Sequence, residues 1–590
     1  MRAPPPVVWL PVVLAMAVWS CAPAPGIVPS STTTEAISPT TTSVGAPAEG
    51  ATELVVGVGD HAAPRTLNPF LDGPDTAVLD LLAPAFFATG YDIDPATRQP
   101  VPDVLESIPT LANGGLVVNG NGTMDVTVRV DPAAQWADGI DITAADLAFT
   151  VATVTDPSLP IRSDLRARYA KIVPGSVRAA GRQLTFRMDI DPSVELLFDL
   201  IIPAHAVEGS DFAVDWNQTP WVSGGPFELQ AYQPGQYLAL QRNDNYWKVD
   251  TASGDRLPVF DRLVFRFFEP SGEPDPRLLR AFQVQDLEMA LMEFPPEVSA
   301  DYLDLEREGA VIVSAAGMAW EQINFQFGPG NRNAESLNGY LRYREAVAHA
   351  IDRSALAEGR GTSPLYSALR TYLPDLAKDP WTVHDFDTGE TAGLLYTLGT
   401  NIGRDLFAGG GPRLVITTSS DSAATVAMAG DIVVMLNQAG IGAELQLEDS
   451  ALFFGTTLDN GTWDVATWRF EGNPGRSGAV AFIELFDPEG LPFVGNNFFR
   501  WGTVDSLVAN RATRRYAEIV DELHATIDPA EIDRLLIEAE GLLASQVVLI
   551  PLMISGESGA VFWSDRVSGI AANPAGSELW NIETWRPPTG

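Results

Sequence analysis

The chain has 590 residues, 37 Lys and Arg against 76 Asp and Glu, a formal net charge of −39 and a single cysteine. One cysteine excludes an intramolecular disulfide and a thiolate metal cluster, and the negative charge repels nucleic acid at long range. A chain that is 46% hydrophobic with 14 Trp is not disordered throughout, and its length predicts roughly two to four domains.

Residues 1–21 read as an export signal. Arg2 is its only charge, and the apolar run from Val7 to Val18 falls short of the ~20 residues of a membrane-spanning helix. The run ends at Val18-Trp19-Ser20-Cys21, which resembles a bacterial lipobox with Cys21 as the lipidated residue. Trp19 departs from that pattern, and an ordinary cleaved signal is the alternative. Residues 22–52 are rich in Ser, Thr and Pro, cannot bury a core and are expected to form a disordered tether. Acylation at Cys21 would hold the body on a membrane by its lipid alone, since no later apolar run reaches spanning length.

The folded part opens with the apolar run Leu54-Val55-Val56-Gly57-Val58, a buried-strand pattern. Val126, Val128 and Val130 alternate with polar residues and predict a strand after the turn Asn119-Gly120-Asn121-Gly122. Thr143 and Asp146 form a capping-box pattern that opens a helix over 144–154. A second strand covers 184–188. Leu341, Val347, Ala348, Ile351 and Leu356 lie near helical spacing. Val426, Ala429, Ile432, Val433 and Leu436 follow it more closely and predict a helix stopped by Gly440. Alternation returns at Ala443, Leu445 and Leu447. Leu535, Ala539, Leu542 and Leu543 predict another helix, followed by the strand Val547-Val548-Leu549-Ile550-Pro551. This mixture argues for α/β lobes rather than a sandwich, barrel or bundle.

A search for catalytic patterns finds no Gly-Lys pair, hence no phosphate-binding P-loop, and no G-x-S-x-G elbow. The five histidines share neither HxH nor HExxH spacing. Asp92/Asp94 and Asp189/Asp191 read as turns. No catalytic residue, metal or cofactor is expected.

Several segments in order resemble one family, the family 5 extracellular solute-binding proteins of ABC-type peptide importers. They are Thr66-Leu67-Asn68-Pro69; Tyr91 to Ser107; Gln135-Trp136-Ala137-Asp138-Gly139 with Ile142 to Asp146; Gly225-Pro226-Phe227 with Leu240 to Trp247; Leu341 to Arg353; Gln438 to Gly442; and Leu549-Ile550-Pro551-Leu552. The resemblance implies a two-lobed periplasmic-binding-protein-like fold of type II, with an extra subdomain on the first lobe. Lobe I would begin over 53–74, detour into the extra subdomain over 75–210 and continue over 211–318. Lobe II would span 319–555, and 556–590 would return to lobe I. It further implies a monomer outside the cytoplasmic membrane that takes a peptide or other small solute in the interlobe cleft and hands it to an ABC permease. A non-transport envelope lipoprotein acting by partner or glycolipid binding is the alternative.

Most of the matching residues read as structural: Trp136, Asp138 and Gly139 as a strand-to-turn device, Arg242, Asn243, Tyr246 and Trp247 as a packed turn, and Arg344, Asp352 and Arg353 as ion pairs on a helix. Ligand candidates lie elsewhere. Thr467 to Pro474 resembles the family segment "gW-xxDYpDP", whose first acid pairs with the α-amino group of a bound peptide. Glu471 stands at that place, but the Tyr is missing and Gly472-Asn473-Pro474 is shortened. Trp320, Gln322 and Asn324 alternate along the first crossover, and Trp468 is a candidate for the cleft wall. Asn497, Phe498 and Arg500 lie in a segment that resembles a ligand-reaching loop. Arg500 and Arg469 compete as receptors for a ligand carboxylate. Core packing or surface solvation is the alternative for each.

Overall fold

The computed structural model describes residues 52–59, 61–217, 219–268, 276–293, 304–328, 337–406, 411–490, 497–555 and 557–588. Cys21, the signal and residues 22–51 of the tether lie outside them. Two large sheets organise the fold. The first has seven strands in the order Ala310–Ala316, Glu557–Trp563, Met289–Glu293, Glu53–Val58, Arg262–Phe267, Tyr237–Arg242 and Phe227–Gln233. The run at 54–58 is its centre, parallel to both neighbours. The second has five strands in the order Ala443–Glu448, Leu414–Ser419, Val465–Phe470, Trp320–Phe325 and Leu549–Ile554.

The chain passes between the sheets twice, from Ala310–Ala316 into Trp320–Phe325 and from Leu549–Ile554 into Glu557–Trp563. Burial follows the same division. One apolar core gathers residues around the second sheet. A second runs from the first sheet into a four-stranded sheet built on Thr123–Arg129 and Gln183–Asp189, and a smaller third packs on the first sheet around Leu278, Phe282 and Trp563. The four-stranded unit therefore shares a core with the first lobe.

Local chemistry explains the elements. Helix Ala144–Thr155 is closed at its start by a capping box: Thr143 N donates to Asp146 Oδ2 at 2.8 Å, and Ala145 N donates to Thr143 Oγ1. Helix Ala423–Gln438 is followed by Gly440 at φ +88°, a left-handed residue that only glycine adopts without cost. Strand Leu549–Ile554 is buried throughout. Pro551 has no N–H for its ladder, and the register slips beside it, between Glu321 and Gln322.

The apolar spacing over 341–356 resolves into two helices, Leu341–His349 and Arg353–Glu358. Asp352 breaks them apart, because its Oδ1 accepts from Ala355 N at 2.9 Å and caps the second helix. The expected ion pairs of this segment are also different in kind. Arg344 is fully buried and donates to the carbonyls of Asn338, Gln546 and Val547, the last two beyond the C-terminus of helix Pro529–Ser545. Arg353 donates to the carbonyls of Trp381 and His384. A guanidinium on helix-end carbonyls satisfies acceptors the helix cannot, and its charge opposes the helix dipole.

Candidate functional site

The two crossovers and the walls beside them enclose a cleft of about 450 Å³. Gly317, Met318 and Ala319 of the first crossover and Ser555 of the second line it. His61 and one side of helix Thr76–Phe86, with Asp80 and Leu81, form the wall from the first lobe. The opposite wall is Arg469 with Glu471-Gly472-Asn473-Pro474, and Pro574 to Glu578 of the chain's return add a third side.

Period-two alternation of strand Val465–Phe470 decides what reaches this cleft. Trp468 and Phe470 point into the core and stack with centroids 4.7 Å apart. Arg469 points the other way and is exposed at the cleft, and Glu471 follows on the same side just beyond the strand. A strand end beside a crossover thus presents one cation and one anion two residues apart. Asp80 enters from the other wall, held by two bonds from Arg162, Nη1 to Oδ1 at 2.7 Å and Nη2 to Oδ2 at 3.1 Å.

Gly472 accounts for the Tyr missing from the motif. A Cβ there would lie 2.5 Å from Cε1 and 2.7 Å from Oη of Tyr372, so no side chain fits. Tyr372 fills that space from a distant helix, Leu369–Tyr372, and packs edge-on against Trp320.

The other candidates sit outside the cleft lining. Trp320, Gln322 and Asn324 share one side of a strand buried at every position. Trp320 Nε1 donates to Gln322 Oε1 at 3.0 Å, Gln322 Nε2 to Asn324 Oδ1 at 2.7 Å, and Asn324 Nδ2 to Ala466 O at 3.4 Å. These side chains satisfy one another inside the second core. Trp468 stacks on Phe499 there. Asn497 is fully buried and staples its own loop, donating to the carbonyls of Asp487 and Trp501. Phe498 packs on the same core. Arg500 takes a left-handed φ of +58° and donates to Asp459 O, with its side chain against Gly328 and Gly461.

Glu321 occupies the reverse side of the crossover strand, opposite Arg469 in register. It is 4% exposed, and its Oε1 accepts from Thr425 Oγ1 at 3.1 Å and Ser555 Oγ at 3.4 Å. Burial pushes its carboxyl up to about 7, against the pull of those hydrogen bonds and of Arg469. Sequence reasoning missed Glu321 and the lining residues Asp80, Ser555 and Glu578. Glu321 and Ser555 flank the crossovers and were open to notice. Asp80 and Glu578 reach the cleft only through tertiary packing. Among the described residues no cluster of His, Cys, Asp and Glu is arranged to hold a metal ion, and no helix is long and apolar enough to cross a membrane.

A family profile described as bacterial extracellular solute-binding proteins, family 5 middle region, matches residues 99–485. YejA of Agrobacterium fabrum, named as a peptide-binding protein, is 26% identical over 216 residues, 34% of this chain and 34% of its own. LpqW of Mycobacterium tuberculosis, named for binding monoacyl phosphatidylinositol tetramannoside, is 28% identical over 257 residues, 40% of this chain and 36% of its own. Across these and a Brucella melitensis binding protein, the aligned stretch spans between 23% and 36% of the relative. Among solved structures, the periplasmic EDTA-binding protein EppA superposes with a TM-score of 0.68 at 18% identity, covering 92% of this chain and 97% of that one.

Proposed function

Because the chain belongs to the bacterial extracellular solute-binding proteins of family 5, we propose that it captures a short peptide or similar small solute between its lobes and delivers it to an ABC permease. In this reading the lobes divide at the two crossovers, the protein works as a monomer, and a lipid on Cys21 holds it at the outer face of the cytoplasmic membrane. The observation that carries the proposal is the pair Arg469 and Glu471 on one wall of the cleft. Opposite charges two residues apart suit a solute with both an ammonium and a carboxylate, and charge-assisted hydrogen bonds to each are the strong kind. A volume of about 450 Å³ is within the range of roughly 300–1,000 Å³ of small-ligand sites. A solute touching both walls makes its full set of contacts only when the lobes are closed, so it shifts that equilibrium. Binding and release need no covalent step.

The test is a thermal-shift screen of the purified protein against short peptides, with amidated and N-acetylated forms beside the free ones. A ligand at 100 times its Kd adds about 2.7 kcal/mol of stability. Free peptides should raise Tm and blocked ones should raise it less. No shift with any peptide, together with no small molecule released on denaturation, would remove the solute-carrier reading. A second reading, a glycolipid-binding envelope protein that does not transport, is favoured by the likeness to LpqW and by the departure from the family motif at 472–474. A glycolipid that raises Tm where peptides do not would establish it. For the anchor, Cys21→Ser should release the protein from the membrane fraction into the medium.

A further inference from the structure

The lobes also meet away from the crossovers. The turn Pro192–Leu196 of the first lobe packs against helix Gly475–Glu484 of the second. Gly475 has φ +75°, and a Cβ there would lie 3.1 Å from Arg98 O and 3.8 Å from Glu195 Oε1. Arg476 bridges the seam. Its Nε and Nη2 donate to the two oxygens of Asp533 at 2.7 and 2.9 Å, and its Nη1 donates to Gln99 Oε1 at 2.7 Å. Arg98 crosses as well, donating from Nη1 to Thr371 O and lying 3.3 Å from Met318 Sδ in the cleft lining.

Glu195 sits at this seam with its Oε1 shut off from solvent and without a hydrogen-bond partner. The nearby cation, Arg476, has its fork directed to Asp533 and Gln99. We propose that this contact is a proton-operated catch: a proton on Glu195 favours the closed arrangement of the lobes, and its loss favours opening.

The sign follows from burial. In the closed arrangement, burial pushes the Glu195 carboxyl up to about 7, with Arg476 opposing and Asp533 reinforcing the rise. With the lobes apart the carboxyl meets water and returns towards about 4.3. The closed form therefore binds the proton more tightly. Closure is favoured as pH falls below about 7, and that advantage is lost as pH rises through it. The other titratable groups nearby are Tyr91, which feels Glu195 together with Asp199, Arg168 and Tyr169, and Lys171, which pairs with Asp191 at 2.9 Å; Arg168 pairs with Asp199 at 2.6 Å. On the second lobe, His524 and Glu484 pair at 2.5 Å. Glu484 raises the His524 imidazole within that pair, while Lys171 of the first lobe opposes the rise across the seam, so opening removes an opposing charge and favours the imidazolium, the reverse of Glu195.

The experiment is small-angle scattering on the ligand-free full-length protein from pH 8 to pH 5.5. The radius of gyration should fall across the range, with the ratio of closed to open forms rising roughly tenfold or more. Glu195→Gln, a permanently neutral mimic, should stay compact at both ends with a flat profile. Asp533→Asn frees Arg476 for Glu195 and should move the transition to lower pH. His524→Gln removes a titration of opposite sign and should leave the profile at least as steep as in wild type. A wild-type radius that does not change with pH, or a Glu195→Gln profile that tracks wild type, overturns the proposal.

Discussion

Strand Val465–Phe470 belongs to two regions at once. On one side Trp468 and Phe470 continue a buried stack with Trp320, and next to it Gln322 and Asn324 spend their amides on each other and on Ala466 O. On the other side Arg469, then Glu471, stand exposed at the cleft. Both regions mix aromatic or polar groups near a crossover, and in sequence they are neighbours. The difference lies in where their hydrogen bonds go. A polar chain that closes on itself has nothing left to offer a ligand, and its removal costs stability. Charged groups exposed at a cavity contribute little to stability, and a solute in the cavity can reach them.

Substitutions that separate stability from affinity test this contrast, and the largest effect is in the stack. Trp468→Ala should cost about 3–5 kcal/mol in denaturant unfolding, because it empties a packed site between Phe470 and Phe499. Next comes the cleft pair. Arg469→Gln with Glu471→Gln should weaken solute binding by about 1.5–3 kcal/mol per lost charge-assisted bond, seen by calorimetry, while unfolding stays within about 0.5 kcal/mol of wild type. Gln322→Ala should destabilise by about 1–3 kcal/mol, since it strands Trp320 Nε1 and Asn324 Oδ1 in the core.

A smaller effect is a pH profile. Glu540 is 2% exposed, accepts from Ser367 Oγ and Leu369 N, and is pushed up to about 7 by burial. Glu321 behaves alike. Groups whose folded values are raised stabilise fully below their unfolded value near 4.3 and lose that contribution as pH rises through about 7. Tm should therefore fall between pH 6 and pH 8, and Glu540→Gln should flatten part of the slope. The least sensitive site is Arg515, whose partners Glu518, Glu522 and Glu538 form a solvent-facing network. Arg515→Ala should change unfolding by less than about 1 kcal/mol.

Much of the fold was legible where local chemistry sets it. The capping box at Thr143, the stop at Gly440 and the periodic helices at 423–438 and 529–545 are decided within a turn or two of chain. The break at Asp352 was harder, because apolar spacing continues through it while a single side-chain bond ends the run. In the site, Arg469 and Glu471 share a side by strand alternation, which a sequence shows. Trp320, Gln322 and Asn324 share a side for the same reason, yet alternation does not tell which side meets a cavity when both faces of a sheet are covered. Asp80, Tyr372 and Glu578 come from segments far apart in the chain, and no motif marks them.

The most direct measurement is calorimetric titration of one stabilising peptide against three forms of the protein: wild type, Arg469→Gln/Glu471→Gln, and Gln322→Ala. The double cleft variant should lose roughly tenfold or more in affinity with Tm unchanged. Gln322→Ala should keep its affinity while melting earlier. Unchanged affinity in the cleft variant, with affinity lost in folded Gln322→Ala, would contradict the cleft assignment and move the binding site into the crossover strand.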